Sequence, residues 1–331
     1  MILNSLSRLY GAAASRRRHW YARDPQRRRS LSRPVVSIGN LCVGGAGKTP
    51  IVAYIARLLR DHGEHPAILT RGYGRRRAAD GVTVVSDGRR VIADLASAGD
   101  EPLMLARALP GVPVLVAADR YLAGIFAERQ LGARVHLLDD GFQHVQLSRA
   151  VDLLLAEEAD LVDRPFPAGR LREPLTSARA ATAVLVSAGY TTAAERIGRA
   201  LGVETAFCVA RTLGVPCAVA GGDSVVIPAG SRVFAVTGIA RPDRFFSDVT
   251  AGGWELVGSI AFRDHHHFTR RDVARISAAA KSAAAAIVLT TEKDAVRLEA
   301  CDLGDLPIAL VPLAVSIEPA AAFREWLLQR L

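Results

Sequence analysis

At 331 residues, half of them apolar, the chain is soluble and globular by composition and long enough for two domains of ordinary size. Four scattered cysteines, Cys42, Cys208, Cys217 and Cys301, contain no C-x-x-C pair, which fits neither a disulfide framework nor a zinc site and points to a reducing cytoplasm. The net charge of +9 is concentrated in one place: residues 1–33 hold nine arginines against the single acid Asp24 and carry +8, leaving +1 for the rest.

Within residues 1–20, Ile2, Leu6, Leu9, Tyr10 and Ala13 fall on one helical face, followed by the basic runs Arg16 to Arg18 and Arg27 to Arg29. The apolar part is too short to span a bilayer, and charges that follow it do not suit a cleavable signal. An interfacial helix with a polybasic flank is expected, each arginine contributing roughly 1 kcal/mol near an anionic leaflet. The alternative is a solvated basic helix packed on the domain. Nucleic-acid binding has little support, because Trp20 and Tyr21 are the only aromatics close to the arginine clusters and no nucleic-acid module follows.

Next comes a β-branched run, Val35 to Ile38, then Gly44, Gly45, Ala46 and Gly47, then Lys48-Thr49 and an apolar helical pattern from Ile51 to Leu59. Strand, glycine-rich turn and helix in that order form the context of a phosphate-binding P-loop. Glycines let backbone N–H groups turn inward as an anion nest, the helix N-terminus adds its positive dipole end, and Lys48 adds a full charge. Thr49 is placed to hold magnesium. The usual spacing wants glycine at position 42, where this chain has Cys42. Only three lysines accompany 39 arginines, and two of them, Lys48 and Lys293, lie in the most motif-like stretches.

Further strands are expected at 67–70, 82–86, 114–117, 135–138, 151–155 and 183–186, with helical stretches between several of them. That alternation argues a mostly parallel sheet covered on both faces, with ligands at the carboxyl ends of its strands. The motifs fall at such ends. Thr70-Arg-Gly-Tyr-Gly-Arg75 suits a loop facing an anion; Gly99-Asp-Glu-Pro-Leu103 reads as a helix start. Asp139 and Asp140, after an apolar strand, look like a Walker-B magnesium site, in which adjacent residues point to opposite faces. Arg170, Arg172 and Glu173, in a loop rich in proline and glycine, could serve phosphate and metal.

Around 205–231 the pattern changes to short strands, 205–211 and 224–227, flanking the turn Gly221-Gly-Asp223, and a hairpin-like connector is expected. From 232 a second, smaller α/β unit begins, containing Thr237 to Pro242, the run His265 to His267 and Thr290-Thr-Glu-Lys-Asp294. Three consecutive histidines cannot easily aim three rings at one metal, so a histidine hydrogen-bonded to an acid is the better expectation. The division expected is an arm over 1–30, a P-loop domain over 31–204, the connector over 205–231 and the smaller domain over 232–331, whose last helix could pack back on the first.

Taken together, Ser37-Ile-Gly-Asn-Leu-Cys-Val-Gly-Gly-Ala-Gly-Lys-Thr-Pro50, Thr70-Arg-Gly-Tyr-Gly74, Gly99-Asp-Glu-Pro102, Leu138-Asp-Asp-Gly-Phe-Gln-His144, Gly169-Arg-Leu-Arg-Glu-Pro174, Thr237 to Pro242, Asp264-His-His266 and Thr290 to Asp294 resemble the tetraacyldisaccharide 4′-kinase, or lipid A 4′-kinase, family of Gram-negative bacteria. The resemblance covers nearly the whole chain, and Cys42 is its departure. It implies a P-loop kinase that moves the ATP γ-phosphate, with magnesium, to the 4′-hydroxyl of a tetraacylated glucosamine disaccharide 1-phosphate. The enzyme would sit peripherally on the cytoplasmic face of the inner membrane, without an obligate protein partner. It also implies nucleotide contacts from Gly44 to Thr49 and from Arg172, and metal contacts from Thr49, Asp139, Asp140 and Glu173. A catalytic dyad of Asp100 and His265 would work with Lys48, with His266 the competing choice. Arg120 resembles a phosphate-stabilising arginine, and Asn40, Arg71, Tyr73, Arg120 and Gln143 are expected on the substrate. Since Asp100 and His265 fall in different expected domains, closure of one over the other is expected to complete the site. The alternative is a membrane-associated ATPase or GTPase switch with no acceptor; Thr291-Glu-Lys-Asp294 lacks the spacing of a guanine-reading loop.

Overall fold

The computed structural model describes residues 2–45, 47–77, 80–188, 190–219 and 222–331; Ala46 of the expected nucleotide loop and Gly221 of the expected turn lie outside them. Fourteen strands occur among the described residues. The first seven are β1 (Val35–Asn40), β2 (Pro66–Thr70), β3 (Thr83–Ser86), β4 (Val114–Val116), β5 (Val135–Asp139), β6 (Val151–Ala156) and β7 (Ala183–Val186). The others are β8 (Ala206–Leu213), β9 (Cys217–Ala218), β10 (Arg232–Thr237), β11 (Glu255–Ala261), β12 (Ile287–Thr291), β13 (Ile308–Val311) and β14 (Leu313–Glu318). The helices are α1 (Ile2–Ala22), α2 (Lys48–Asp61), α3 (Leu95–Ala98), α4 (Asp100–Ala108), α5 (Arg120–Leu131), α6 (Thr191–Leu201), α7 (Pro242–Ala251), α8 (Arg270–Ser282), α9 (Glu292–Leu298) and α10 (Ala320–Leu328).

The strands form a nine-stranded sheet, ordered β14-β8-β7-β6-β1-β5-β2-β4-β3, and a five-stranded sheet, ordered β11-β10-β12-β13-β9. Every pairing is parallel except those of β3 with β4, β14 with β8 and β13 with β9, at the sheet edges. Central strands β1, β2, β5, β6 and β7 are buried along their whole length, as a sheet covered on both faces requires. On one face, Ile51, Val52, Ile55 and Leu59 of α2 meet Ile38, Ile68 and Leu137; on the other, Ala123 and Ala127 of α5 meet Leu69, Leu115 and Leu138.

Two stretches depart from expectation. Residues 205–211 do not pair with 224–227: β8 joins the large sheet between β7 and β14, β9 edges the small sheet, and the antiparallel contact around the turn is a short one, Cys217 with Ser224, closed by Val225 N–H to the Pro216 carbonyl and Ala218 N–H to the Asp223 carbonyl. The chain also returns to the large sheet earlier than its last helix, with β14. The reason is apolar burial, since Phe207 on β8 packs edge-on against Phe323 of α10 at 5.1 Å, and Ile317, Phe323 and Leu327 sit in the same core as α2.

Helix α1 docks through its smallest side chains. Ser7 and Gly11 are buried, Ser7 Oγ donates to the Pro165 carbonyl at 2.6 Å, and a β-carbon at Gly11 would stand 3.2 Å from the Pro174 ring. Leu3, Leu6, Leu9 and Tyr10 therefore face outward, Leu9 with 69 % of its surface exposed. Among the described residues, no helix is long and apolar enough to cross a membrane.

Candidate active site

A cavity of about 1080 Å³ opens at the carboxyl ends of the strands and is walled by both sheets' loops and by α1. At its floor, β1 gives way to the P-loop turn. Gly47 takes the left-handed conformation (φ 73°) that lets the chain enter α2 directly at Lys48, a backbone state costly for other residues. Gly44, Gly45, Gly47, Lys48 and Thr49 all line the cavity. Cys42, where a P-loop usually has glycine, is buried, and its thiol donates to Asp160 at 2.8 Å. Burial and that bond push the thiol up to about 12, so it stays protonated and structural.

Lys48 Nζ donates to Asn40 Oδ1 at 3.0 Å and lies 3.3 Å from Asp140 Oδ1. Asn40, expected on the substrate, is instead buried beneath the loop, its amide spent on Lys48 and on the Cys42 carbonyl at 2.9 Å. It orients the lysine. Asp139 and Asp140 arrive on β5, paired directly with β1. Burial and the charges of Glu101 and Asp140 raise the pKa of Asp139, while Thr70 Oγ1 donates to it at 3.3 Å. Asp140 goes the other way: burial opposes its charge, but Lys48 and Arg172 outweigh burial and lower its pKa. Arg172 Nη1 reaches Asp140 Oδ2 at 2.7 Å and Gln143 Oε1 at 3.3 Å.

Glu173, also expected on the metal, lines the same cavity but is paired with α1. Both its oxygens accept from Arg18 of α1, at 2.6 and 2.9 Å. Among the described residues, no cluster of three or more histidines, cysteines or acids has metal-holding geometry. Arg71, Tyr73, Arg120 and Gln143 line the cavity as expected of substrate contacts. Arg120 is buried, with Nη1 on the Ala118 carbonyl at 3.1 Å and Nε without a hydrogen-bond partner among the described residues. Beside it, His144 is pushed down to about 4 by burial and by Arg120 and Arg149, so the cavity wall there carries a neutral imidazole.

The opposite wall holds the dyad. His265 Nδ1 lies 2.9 Å from Asp100 Oδ2, across 165 residues of sequence. His266 turns away, hydrogen-bonding Asp272 at 3.2 Å and stacking on Phe262 at 4.4 Å. His265 holds a positive φ of 58°, as does Asp140 at 52°, and such strain in non-glycine residues gathers at functional sites. Asp100 is buried behind the histidine and does not itself line the cavity. Burial opposes its charge, but His265, Lys293 and Arg297 outweigh burial and lower its pKa.

Sequence reasoning passed over Lys293 as a site residue. Its Nζ lies 3.2 Å from His265 Nε2, 3.0 Å from Glu101 and 3.2 Å from Asp264. Burial opposes its charge, yet Glu101, Asp100 and Asp264 raise its pKa, so it is an ammonium with only donors. Nε2 is then the acceptor and the ring proton rests on Nδ1, donated to Asp100. The scarcity of lysine in this chain was the available signal. Also unassigned were Arg241 and Arg244 of the second sheet's side, both of which reach Glu157 of the first, Arg241 at 2.7 Å.

Comparison with known proteins gives the chain a family. Residues 1–331 match the family described as tetraacyldisaccharide-1-P 4′-kinase. The tetraacyldisaccharide 4′-kinase of Geobacter metallireducens is 41 % identical over 90 % of this chain and 88 % of its own; that of Syntrophus aciditrophicus is 36 % identical over 100 % and 93 %. The crystal structure of the "apo" form of LpxK from Aquifex aeolicus in complex with ATP, at 2.2 Å, superposes with a TM-score of 0.79 and 30 % identity, covering 100 % of this chain and 99 % of that one. By its full-length match and these relatives, the chain belongs to the tetraacyldisaccharide-1-P 4′-kinase family.

Proposed function

We propose that the chain transfers the γ-phosphate of ATP to the 4′-hydroxyl of a tetraacylated glucosamine disaccharide 1-phosphate. The observation that carries this reading is the shared cavity: Lys48 of the P-loop and His265 of the dyad line one space, with α1 forming a further wall. A dyad facing the phosphate loop supplies the general base that a weakly nucleophilic sugar hydroxyl needs.

Gly44 to Thr49, apart from Ala46, and Lys48 bind the β- and γ-phosphates, with the helix N-terminus of α2 behind them. Thr49, Asp139 and Asp140 fit a divalent cation, because Asp139 is a buried carboxylate under repulsion from Glu101 and Asp140 that a cation would relieve. Magnesium held there supplies neutralisation of phosphate charge. Arg172 and Arg120 add positive charge to the transferring group. The acceptor hydroxyl takes the place of Lys293 at His265 Nε2, which accepts its proton while Asp100 holds Nδ1–H. A new bond forms between the 4′-oxygen and γ-phosphorus as the β,γ-bridging bond breaks, and ADP leaves. Arg71, Tyr73 and Gln143 position the sugar, the Tyr73 ring lying tilted at 5.1 Å from the His265 ring.

The outward stripe Leu3, Leu6, Leu9 and Tyr10 supports peripheral attachment to a membrane surface, which brings a lipid acceptor to the cavity's α1 wall; an ATP-using enzyme would do so on the cytoplasmic face of the inner membrane. We read the large sheet, with β8, β14 and α10, as the nucleotide lobe and the small sheet as the lobe delivering the dyad histidine. The test is to follow labelled γ-phosphate with the full chain, acceptor in detergent micelles and magnesium. Label on the lipid disaccharide is expected; label released only as free phosphate would replace this reading with the ATPase switch.

A further inference from the structure

The basic end of α1, expected to offer its arginines to a membrane, spends one of them inside the protein. Arg18 Nε donates to Glu173 Oε2 at 2.6 Å and Nη2 to Oε1 at 2.9 Å, with the two side chains only 11 % and 6 % exposed. Nη2 also donates to the Phe142 carbonyl at 2.9 Å, and the guanidinium lies 4.2 Å over the Phe142 ring. Arg17 adds a bond to the Gln143 carbonyl at 3.0 Å.

This two-pronged arrangement matches the fork of arginine to the plane of a carboxylate, with one hydrogen bond to each oxygen of Glu173. The gripped segments are those that carry the site. Phe142 and Gln143 follow Asp140 after the single residue Gly141, and Glu173 follows Arg172, which itself holds Asp140 and Gln143. Tyr10, Ala13, Ala14 and Arg17 of the same helix line the cavity. The pose of α1 and the pose of the phosphoryl site are thus set by the same ion pair.

We propose that Glu173 is the buried anchor of α1, and that Arg18 and Glu173 are a positioning pair holding an acceptor at α1 in register with Lys48 and His265. The kinetic part of this proposal rests on the acceptor reading given above; the structural part does not.

The test compares Arg18→Gln, Glu173→Gln and the double variant in the full chain. In metal-free, nucleotide-free protein with chelator, each single variant is expected to lower the unfolding midpoint by about 3–6 °C, because each leaves a buried charge without its partner. The double variant should fall no further than the worse single one. With magnesium, ATP and acceptor in micelles, each single variant should raise the acceptor KM roughly ten-fold, without additivity, while the ATP KM and half-saturating magnesium hold. Arg18→Lys, which keeps charge without the fork, should be intermediate and serves if Arg18→Gln fails to fold. Two results would overturn the pair: Glu173→Gln raising half-saturating magnesium several-fold without lowering the metal-free midpoint, or Arg18→Gln matching wild type in both measurements. A wild-type chain that labels no acceptor would instead remove the functional reading, while the metal-free unfolding arm would still decide the pair.

Discussion

The two ends of the cavity are assembled in different ways. At the donor end, the P-loop and the acidic pair leave adjacent parallel strands, β1 and β5, and each side chain is placed by a strand end and the turn after it. At the dyad end, Asp100 begins α4 of the large lobe, while His265, Lys293 and Arg297 come from the small lobe. They meet through Lys293 with Glu101 at 3.0 Å and Arg297 with Asp100 at 3.5 Å. The donor end is thus built from the strand ends of one sheet, whereas the dyad end needs a contact between segments of two sheets, Asp100 and His265 standing 2.9 Å apart.

The largest effect is expected where one sheet supplies everything. Lys48→Ala removes the cation of the phosphate cradle and should lower kcat/KM for transfer by about 10³-fold or more, with little change in the unfolding midpoint. A variant transferring at the wild-type rate would mean that the donor end lies elsewhere. The dyad end should show a smaller loss and a choice between neighbours. His265→Asn is expected to cost about 10²-fold or more in kcat with the ATP KM intact, since general-base assistance is what it removes. His266→Asn, which breaks only a stack and a bond to Asp272, should keep transfer within about two-fold and cost roughly 1 kcal/mol of stability. Equal losses at both positions would contradict the assignment of Asp100 to His265.

The smallest effect concerns what holds the lobes together. Asp100 and Glu157 both have folded-state pKa values below their ordinary 3.8 and 4.5; burial opposes each charge, but His265, Lys293 and Arg297 outweigh it for Asp100, and Arg244 and Arg241 for Glu157. A depressed carboxylate pKa gives stability that is present above the unfolded-state value and is lost as pH falls through the folded-state value. These two carboxylates therefore contribute their stability in full above about pH 4.5, and their contribution to the midpoint should decline below it. With Glu157→Gln that decline should be shallower and the neutral midpoint lower by about 1–3 °C. An unchanged acid limb in Glu157→Gln would show that its two arginines do not join the lobes.

Much of this was legible in the chain. The spacing from Val35 to Thr49 fixes strand, loop and helix in order, and Asp139-Asp140 after an apolar strand marks its partner, because hydrophobic period and turn chemistry act over a few residues. Two signals were carried only in part. The outward stripe of α1 was readable from its period, yet the face that docks is the small one at Ser7 and Gly11. The arginines at its end looked like membrane contacts, and one of them is an internal partner of Glu173.

By itself, then, the sequence determined the local units: the P-loop, the acidic strand end, the dyad's residue types and the charged arm. Tertiary structure alone decided the pairings between units. It selected His265 over His266, gave Lys293 its place at Nε2, turned Asn40 inward and Glu173 toward Arg18, and sent β8 and β14 to the large sheet. Nothing in local spacing encodes a contact across 165 residues; it follows from which apolar faces bury together and which charges that burial leaves needing partners.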